Sequence, residues 1–175
     1  MVQLREKESS TREFVERAIR LKEVLTPYGV PLIINDRVDV ALAADADGVH
    51  VGQSDMLYEM VKRLLPEGKI IGLSVESPEQ VLEANDYDLD YVAASPVFST
   101  TTKTNTIVEW GLDGLRWIRS VSRHPLVAIG GIHSNNVASI FKAGADSVAV
   151  ISAIVSADDP ERAARELLEK SGEPH

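Results

Sequence analysis

Short apolar runs alternate with helical patterns along nearly the whole chain. Several of the runs, such as residues 32–34, are continuously apolar, which is typical of parallel strands that are covered on both faces. The pattern predicts seven strands, at residues 2–6, 32–34, 48–51, 70–73, 91–94, 126–129 and 147–151.

Helical patterns fill the intervals between these runs. Ser10 and Glu13 have the spacing of a capping box, and an apolar stripe with helical periodicity follows them. Asp159 and Pro160 predict the start of the last helix. Strands that alternate with helices indicate βαβ units and a parallel sheet.

Seven β/α units leave two architectures open. A compact eight-unit barrel needs about 200 residues, or roughly 25 for each unit, so 175 residues correspond to about seven units. The strands therefore fit either an open doubly wound sheet or an eight-stranded barrel that lacks its first unit. No G-x-G-x-x-G motif follows the early strands, which leaves a dinucleotide site without support. The sequence has no evident linker, and we predict a single domain over residues 1–175.

Composition narrows the class of partner. A net charge of −9 and a pI of about 4.9 argue against nucleic acid or an anionic membrane, because both require a basic surface. The absence of cysteine excludes disulfides, thiolate catalysis and cysteine-ligated metals. No apolar run approaches the roughly 20 residues of a membrane span, and the amino terminus has no signal core. We therefore expect a cytoplasmic enzyme or binding domain.

Polar side chains cluster where the predicted strands end. In a (β/α) barrel these ends converge on the mouth that carries the catalytic residues. The first strand places Gln3, Arg5 and Lys7 on one face, which lies in solvent or lines an anion site. The other strand ends lead to Asn35, Asp36, Asp55, Ser74, the segment from Ser99 to Lys103, Gly130, Gly131 and Ser152.

Two of these groups suggest a ligand. Glycines after the sixth strand and a helix start after the seventh are where barrels bind phosphate, although Gly130 and Gly131 also fit a tight turn. Asp36 and Asp55 each precede a helical pattern and singly fit helix caps. Together at one mouth they favour Mg²⁺, which binds one or two carboxylates along with substrate phosphates and water.

Six segments of the chain, in this order, resemble the thiamine phosphate synthase family, and the resemblance covers nearly the whole sequence. They are Val-Gln-Leu-Arg-Glu-Lys (2–7), Ile-Asn-Asp (34–36), Gly-Val-His-Val-Gly-Gln-Ser-Asp (48–55), Ser-Pro-Val-Phe-Ser-Thr-Thr-Thr-Lys (95–103), Ala-Ile-Gly-Gly-Ile (128–132) and Val-Ala-Val-Ile-Ser-Ala-Ile (148–154). The resemblance implies an α/β fold of the (β/α)8 TIM barrel type, with seven units present and the first strand and helix missing. It also implies a Mg²⁺-dependent dissociative displacement that joins hydroxymethylpyrimidine diphosphate to thiazole phosphate and releases diphosphate.

The resemblance also implies a role for each matching residue. The diphosphate would be held by Arg5, Lys7, Asn35 and Lys103, and Mg²⁺ by Asp36 and Asp55. The pyrimidine would face Gln3 and Ser74. The thiazole phosphate would be held by Thr100, Thr102, Gly131, Ile151 and Ser152. The residues expected to act in catalysis are Arg5, Lys7, Ser74 and Lys103, and residues 99–106 would form a lid.

Two other functions remain open at this stage. A related thiazole tautomerase commonly carries a histidine where this chain has Pro96. A phosphate-binding barrel without catalysis is the second, because a missing unit would leave two sheet edges unpaired. Such edges also predict that copies of the chain pair as a homo-oligomer.

Overall fold

Seven strands alternate with eight α-helices in the computed structural model, which describes residues 1–99 and 109–172. The strands are β1 (Val2–Leu4), β2 (Leu32–Asn35), β3 (Gly48–Val51), β4 (Ile70–Val75), β5 (Tyr91–Ala94), β6 (Leu126–Ile129) and β7 (Ser147–Ala149). The helices are α1 (Thr11–Leu25), α2 (Val38–Ala43), α3 (Tyr58–Leu64), α4 (Pro78–Ala84), α5 (Gly111–Val121), α6 (Val137–Lys142), α7 (Ser152–Val155) and α8 (Pro160–Ser171). All seven predicted strands are present, which confirms the α/β class.

The chain divides into two compact units, Met1–Ser74 and Val75–His175. In the first unit β1 pairs with β2, β2 with β3 and β3 with β4, and all three pairings are parallel. Every residue of β2 and β3 is buried, as expected for strands of a parallel sheet that is covered on both faces. Helix α1 begins at the predicted capping box of Ser10 and Glu13 and buries Phe14 and Ala18.

The first strand is shorter than the sequence pattern predicts. It ends at Leu4 instead of residue 6. The carboxylate of Glu6 accepts hydrogen bonds from the backbone N–H groups of Lys7, at 3.0 Å, and Glu8, at 3.2 Å. A side chain that bonds to its own following backbone competes with the sheet ladder, so the chain turns here.

The second unit contains a parallel β5–β6–β7 arrangement. Strand β7 ends at Ala149, two residues earlier than predicted. Its partner β6 ends at Ile129, because Gly130 leaves the extended region with a φ of 100°. Residues 150 and 151 therefore have no partner to continue the register of β6 and β7.

A charged cluster marks the amino-terminal end of the strands in the first unit, and we call Asp45, Lys22 and Lys69 the lower cluster. Asp45 follows α2 and accepts from Lys22 of α1 at 2.8 Å and from Lys69, which precedes β4, at 2.7 Å. These contacts link α1 and the start of β4 to the turn between α2 and β3.

Three expectations from the sequence stay predictions. They are the single domain, the eight-stranded barrel that lacks a unit, and the cytoplasmic location. Among the helices of the described residues, none is both long enough and apolar enough to cross a membrane.

Candidate active site

A pair of carboxylates lies beyond the carboxyl ends of β2 and β3. Asp36 directly follows β2 and has a φ of 63°, a left-handed conformation that aspartate adopts more readily than most residues. Its backbone N–H donates to the carbonyl of His50 in β3 at 2.8 Å. The side chain of Asp36 hydrogen-bonds to that of Asp55 and accepts from Lys7 Nζ at 2.6 Å.

Asp55 is held by a tight turn after β3. Its Oδ2 accepts from the backbone N–H of Gly52 at 2.8 Å, and its own N–H donates to the carbonyl of Gly52 at 3.2 Å. The alternative that Asp36 and Asp55 cap helices is wrong. The N-cap residues of α2 and α3 are Arg37 and Leu57, and neither helix has a side-chain cap.

The pKa values of the two carboxylates shift in opposite directions. Burial raises the pKa of Asp55, and the hydrogen bond and the negative charge of Asp36 raise it further. Burial also acts to raise the pKa of Asp36, but hydrogen bonds from Lys7 and Asp55, with the charges of Lys7 and Arg5, outweigh it and lower that pKa. Asp55 is therefore the weaker acid of the two, and a proton bound by the pair resides on Asp55.

This donor set fits Mg²⁺ in one specific way. The described residues contain no group of three or more acidic, histidine or cysteine side chains that could hold a metal ion. Two neighbouring carboxylates could supply part of the ligand set of a Mg²⁺ ion whose other ligands are water and substrate oxygens. A divalent cation there would relieve the mutual repulsion of the two carboxylates.

The predicted anion-binding side chains lie on β1 and directly after it. Gln3, Arg5 and Lys7 are exposed, whereas Val2, Leu4 and Glu6 are half-buried, as the period of two predicts. The side chain of Lys7 retains 54% exposure even though it pairs with Asp36. It could thus contact a ligand and the carboxylate together.

A buried polar group lies at the ends of β3 and β4. His50 Nε2 and Ser74 Oγ are 2.9 Å apart, and His50 and Ser74 are only 4% and 6% exposed. The side chain of Gln53 donates to the carbonyl of Ser74 at 2.6 Å. His50 is therefore a buried histidine whose side chain has a hydrogen-bond partner, and that partner is the predicted pyrimidine contact Ser74. Asn35, at the end of β2, is also buried.

In the second unit, two glycines follow β6 in left-handed conformations. Gly130 and Gly131 have φ values of 100° and 65°. A Cβ atom on Gly130 would lie 2.7 Å from Pro96 Cβ, and one on Gly131 would lie 2.7 Å from Phe98 Cβ. Backbone conformation and close packing thus require both glycines without any ligand. A phosphate at Gly131 stays a prediction.

The remaining predicted residues divide into two groups. Ile151 and Ser152 are exposed at the start of α7. Thr100, Thr102 and Lys103 lie outside the described residues, as does all of the predicted lid except Ser99.

Sequence reasoning missed two supporting side chains. Glu6 forms an ion pair with Arg17 of α1. In the second unit, Asn136 donates to the carbonyl of Gly131 at 2.9 Å, and its Oδ1 accepts from the N–H of His133 at 2.9 Å. The position of Glu6 between Arg5 and Lys7 is the one sequence signal that could have indicated the role of Glu6. No such signal marks Asn136, because its hydrogen bonds depend on the conformation of the loop.

The chain is similar to known proteins over most of its length. The family model described as thiamine monophosphate synthase matches residues 1–154. The thiamine-phosphate synthase of Albidiferax ferrireducens is 53% identical over 159 residues, which are 91% of this chain and 73% of that protein. The thiamine-phosphate synthase of Vibrio parahaemolyticus is 50% identical over 168 residues, 96% of this chain and 82% of that protein. The solved thiamine phosphate pyrophosphorylase of Pyrococcus furiosus superposes with a TM-score of 0.88 and 42% identity, covering 97% of this chain and 81% of that one.

Proposed function

Because this chain belongs to the thiamine monophosphate synthase family, we propose that it joins hydroxymethylpyrimidine diphosphate to thiazole phosphate with Mg²⁺. Its activity is that of a thiamine-phosphate synthase, an enzyme of the transferase class. The observation that carries the proposal for the substrates and the metal is the contact of Lys7 with one of two neighbouring carboxylates, the other of which, Asp55, has a raised pKa.

The first unit holds the pyrimidine diphosphate. Arg5 and Lys7 follow β1, are exposed and supply positive charge, and Asn35 offers an amide at the end of β2. The C–O bond to the diphosphate breaks, and the diphosphate leaves with the electron pair. Cations placed where this charge develops lower the barrier most, because they bind the transition state more tightly than the substrate.

Asp36 and Asp55 would hold the Mg²⁺. A Mg²⁺ ion held by these two residues would supply positive charge to offset the charge that develops on the leaving group. Lys7 already contacts Asp36, so it keeps one ammonium beside the metal ligands and the diphosphate. Lys103, which lies outside the described residues, adds a further cation in this proposal.

The pyrimidine ring is held by Gln3 and Ser74. The hydroxyl of Ser74 bonds to His50 but keeps further hydrogen-bonding capacity, because a serine oxygen has one proton and two lone pairs. After the C–O bond breaks, the thiazole nitrogen attacks the methylene carbon of the pyrimidine and the new C–N bond forms. The reaction needs no protein nucleophile, and the chain positions the reactants.

The second unit holds the thiazole phosphate. This assignment is supported by the loop after β6, where Gly131 has a φ of 65° and the side chain of Asn136 donates a hydrogen bond to the carbonyl of Gly131. Backbone N–H groups of Gly131, Ile151 and Ser152 are proposed to bind the phosphate. Thr100 and Thr102 complete the set.

Diphosphate release tests this proposal. With Mg²⁺ and both substrates, we expect release of one diphosphate for each thiamine phosphate formed. Omission of the thiazole phosphate or of Mg²⁺ should stop the release. Binding of thiazole phosphate without any release would contradict the synthase assignment.

A further inference from the structure

Glu6 is the residue between the two predicted diphosphate-binding cations, and its side chain points to the opposite face. It is half-buried, at 19% side-chain exposure. Its Oε1 accepts from the backbone N–H groups of Lys7 at 3.0 Å and Glu8 at 3.2 Å. Its other oxygen, Oε2, accepts from Arg17 Nη1 of α1. One carboxylate thus connects the end of β1 to the first helix.

These contacts fix the backbone from which the Lys7 side chain projects. The N–H groups of two successive residues converge on one carboxylate, so the turn after Leu4 has a single geometry. The backbone N–H of Glu8 is the largest influence on Glu6 and lowers the pKa of its carboxyl group. The carboxylate is therefore ionised at neutral pH and can accept from both N–H groups and from Arg17.

A lysine side chain has four rotatable bonds and little conformational restriction of its own. Lys7 is 54% exposed, so surrounding packing does not fix its ammonium group. Nevertheless its Nζ lies 2.6 Å from Asp36 Oδ2. A fixed starting point for the side chain reduces the entropy lost when the ammonium group makes that contact.

We propose that Glu6 and Arg17 are positioning residues that aim Lys7 at Asp36 and at the diphosphate. The contacts run from Arg17 to Glu6, from Glu6 to the backbone of Lys7, and from Lys7 Nζ to Asp36. The part of this inference that concerns diphosphate rests on the proposed function. The part that concerns the orientation of Lys7 does not.

A purely structural role makes a different prediction. If Glu6 and Arg17 only hold α1 against β1, their loss lowers the melting temperature and leaves ligand binding by the folded protein unchanged. If they aim Lys7, their loss weakens binding of Mg²⁺-diphosphate and leaves binding of thiazole phosphate unchanged. Binding measurements with Mg²⁺-diphosphate and with thiazole phosphate therefore distinguish the two roles.

The chain offers a matched control on the same helix. Arg20 of α1 pairs with Glu16 at 3.6 Å, and both side chains are exposed. Arg20→Met removes an arginine ion pair from α1 without touching the turn after β1. Arg17→Lys keeps the positive charge beside Glu6 and serves as the conservative variant.

The first measurement is calorimetric binding of inorganic diphosphate with Mg²⁺ at neutral pH. We expect Arg17→Met and Glu6→Gln to weaken binding about 10-fold, the effect typical of residues that orient a ligand-binding group. Arg17→Lys should recover most of the affinity, and Arg20→Met should bind as wild type does. Because Arg17 acts through Lys7, Arg17→Met should add little to the loss caused by Lys7→Met. Wild-type affinity in Arg17→Met, or full additivity with Lys7→Met, would overturn the inference.

The second measurement needs no ligand. The rate at which acetic anhydride acetylates Lys7 is followed by mass spectrometry, with Lys22 and Lys69 as internal references. An amine held against Asp36 reacts slowly, so Arg17→Met and Glu6→Gln should increase the Lys7 rate several-fold and Arg20→Met should not. An unchanged Lys7 rate would overturn the inference even where the synthase assignment holds. Increased rates in a protein that binds no diphosphate would overturn only the proposed function.

Discussion

The first unit has charged clusters at both ends of its strands, and their charges balance differently. The lower cluster, at the amino-terminal end, sets one acid, Asp45, against two lysines at 2.7 and 2.8 Å. At the carboxyl-terminal end, Asp36 and Asp55 hydrogen-bond to each other and have one lysine contact at 2.6 Å. Lysines thus outnumber acids at one end, and acids outnumber lysines at the other.

The pKa values of an acid in each cluster shift in opposite directions. Hydrogen bonds from Lys22 and Lys69 lower the pKa of Asp45 to about 2, whereas burial and the proximity of Asp36 raise the pKa of Asp55. In the lower cluster the two lysines more than offset the charge of Asp45. The carboxylate pair has two acids against one lysine contact, and a bound cation or proton would relieve that excess.

The largest effect is expected from removal of a carboxylate. Asp36→Asn should lower turnover by at least about 100-fold, because it removes a metal ligand and the partner of Lys7 at once. Asp45→Asn is the matched control, and its turnover should stay near the wild-type value. Steady-state diphosphate release at saturating Mg²⁺ measures both variants, with circular dichroism to confirm folding. Equal losses in the two variants would remove the distinction between the clusters.

An intermediate effect is expected on stability in the absence of Mg²⁺. Since Asp55 is half-buried beside another acid, Asp55→Asn removes an unfavourable charge and should raise the melting temperature by about 2–4 °C. The folded state raises this pKa, so the wild-type protein should lose stability as pH rises through the folded-state pKa of Asp55. The variant should lack that loss. A lower melting temperature for Asp55→Asn, measured by calorimetry at neutral pH with chelator, would show that the pair stabilises the fold.

The smallest effect is expected from the lower cluster. Asp45→Asn should lower the melting temperature slightly, because the cluster is exposed and water screens its ion pairs. The folded state lowers the pKa of Asp45, so its contribution is present above the unfolded value of 3.8 and disappears as pH falls through about 2. Melting curves of wild type and variant should therefore converge in this range. A difference that persists below it would assign the effect to the turn geometry of Asp45.

The sequence predicts the framework of the site well for a physical reason. Short apolar runs mark β2 and β3, and the carboxyl ends of neighbouring parallel strands lie at one edge, so the proximity of Asp36 and Asp55 follows from the strand order. The sequence does not show that Asp55 fails to cap a helix, because that depends on the turn in which the backbone N–H of Gly52 donates to the Asp55 side chain.

Side-chain pairings across strands lie beyond the sequence pattern. Ser74 and His50 meet because the register of β3 and β4 pairs His50 with Gly72. The early end of β1 and the role of Glu6 depend on a local competition between a side chain and the sheet ladder. None of these features can be read from the spacing of apolar residues.

Electron paramagnetic resonance of Mn²⁺, added in place of Mg²⁺ with inorganic diphosphate, tests the cation site most directly. We expect a bound-Mn²⁺ spectrum for wild type and for Asp45→Asn. The folded Asp36→Asn/Asp55→Asn double variant should lack that spectrum. Mn²⁺ bound equally by the double variant would contradict the assignment of the metal site to this carboxylate pair.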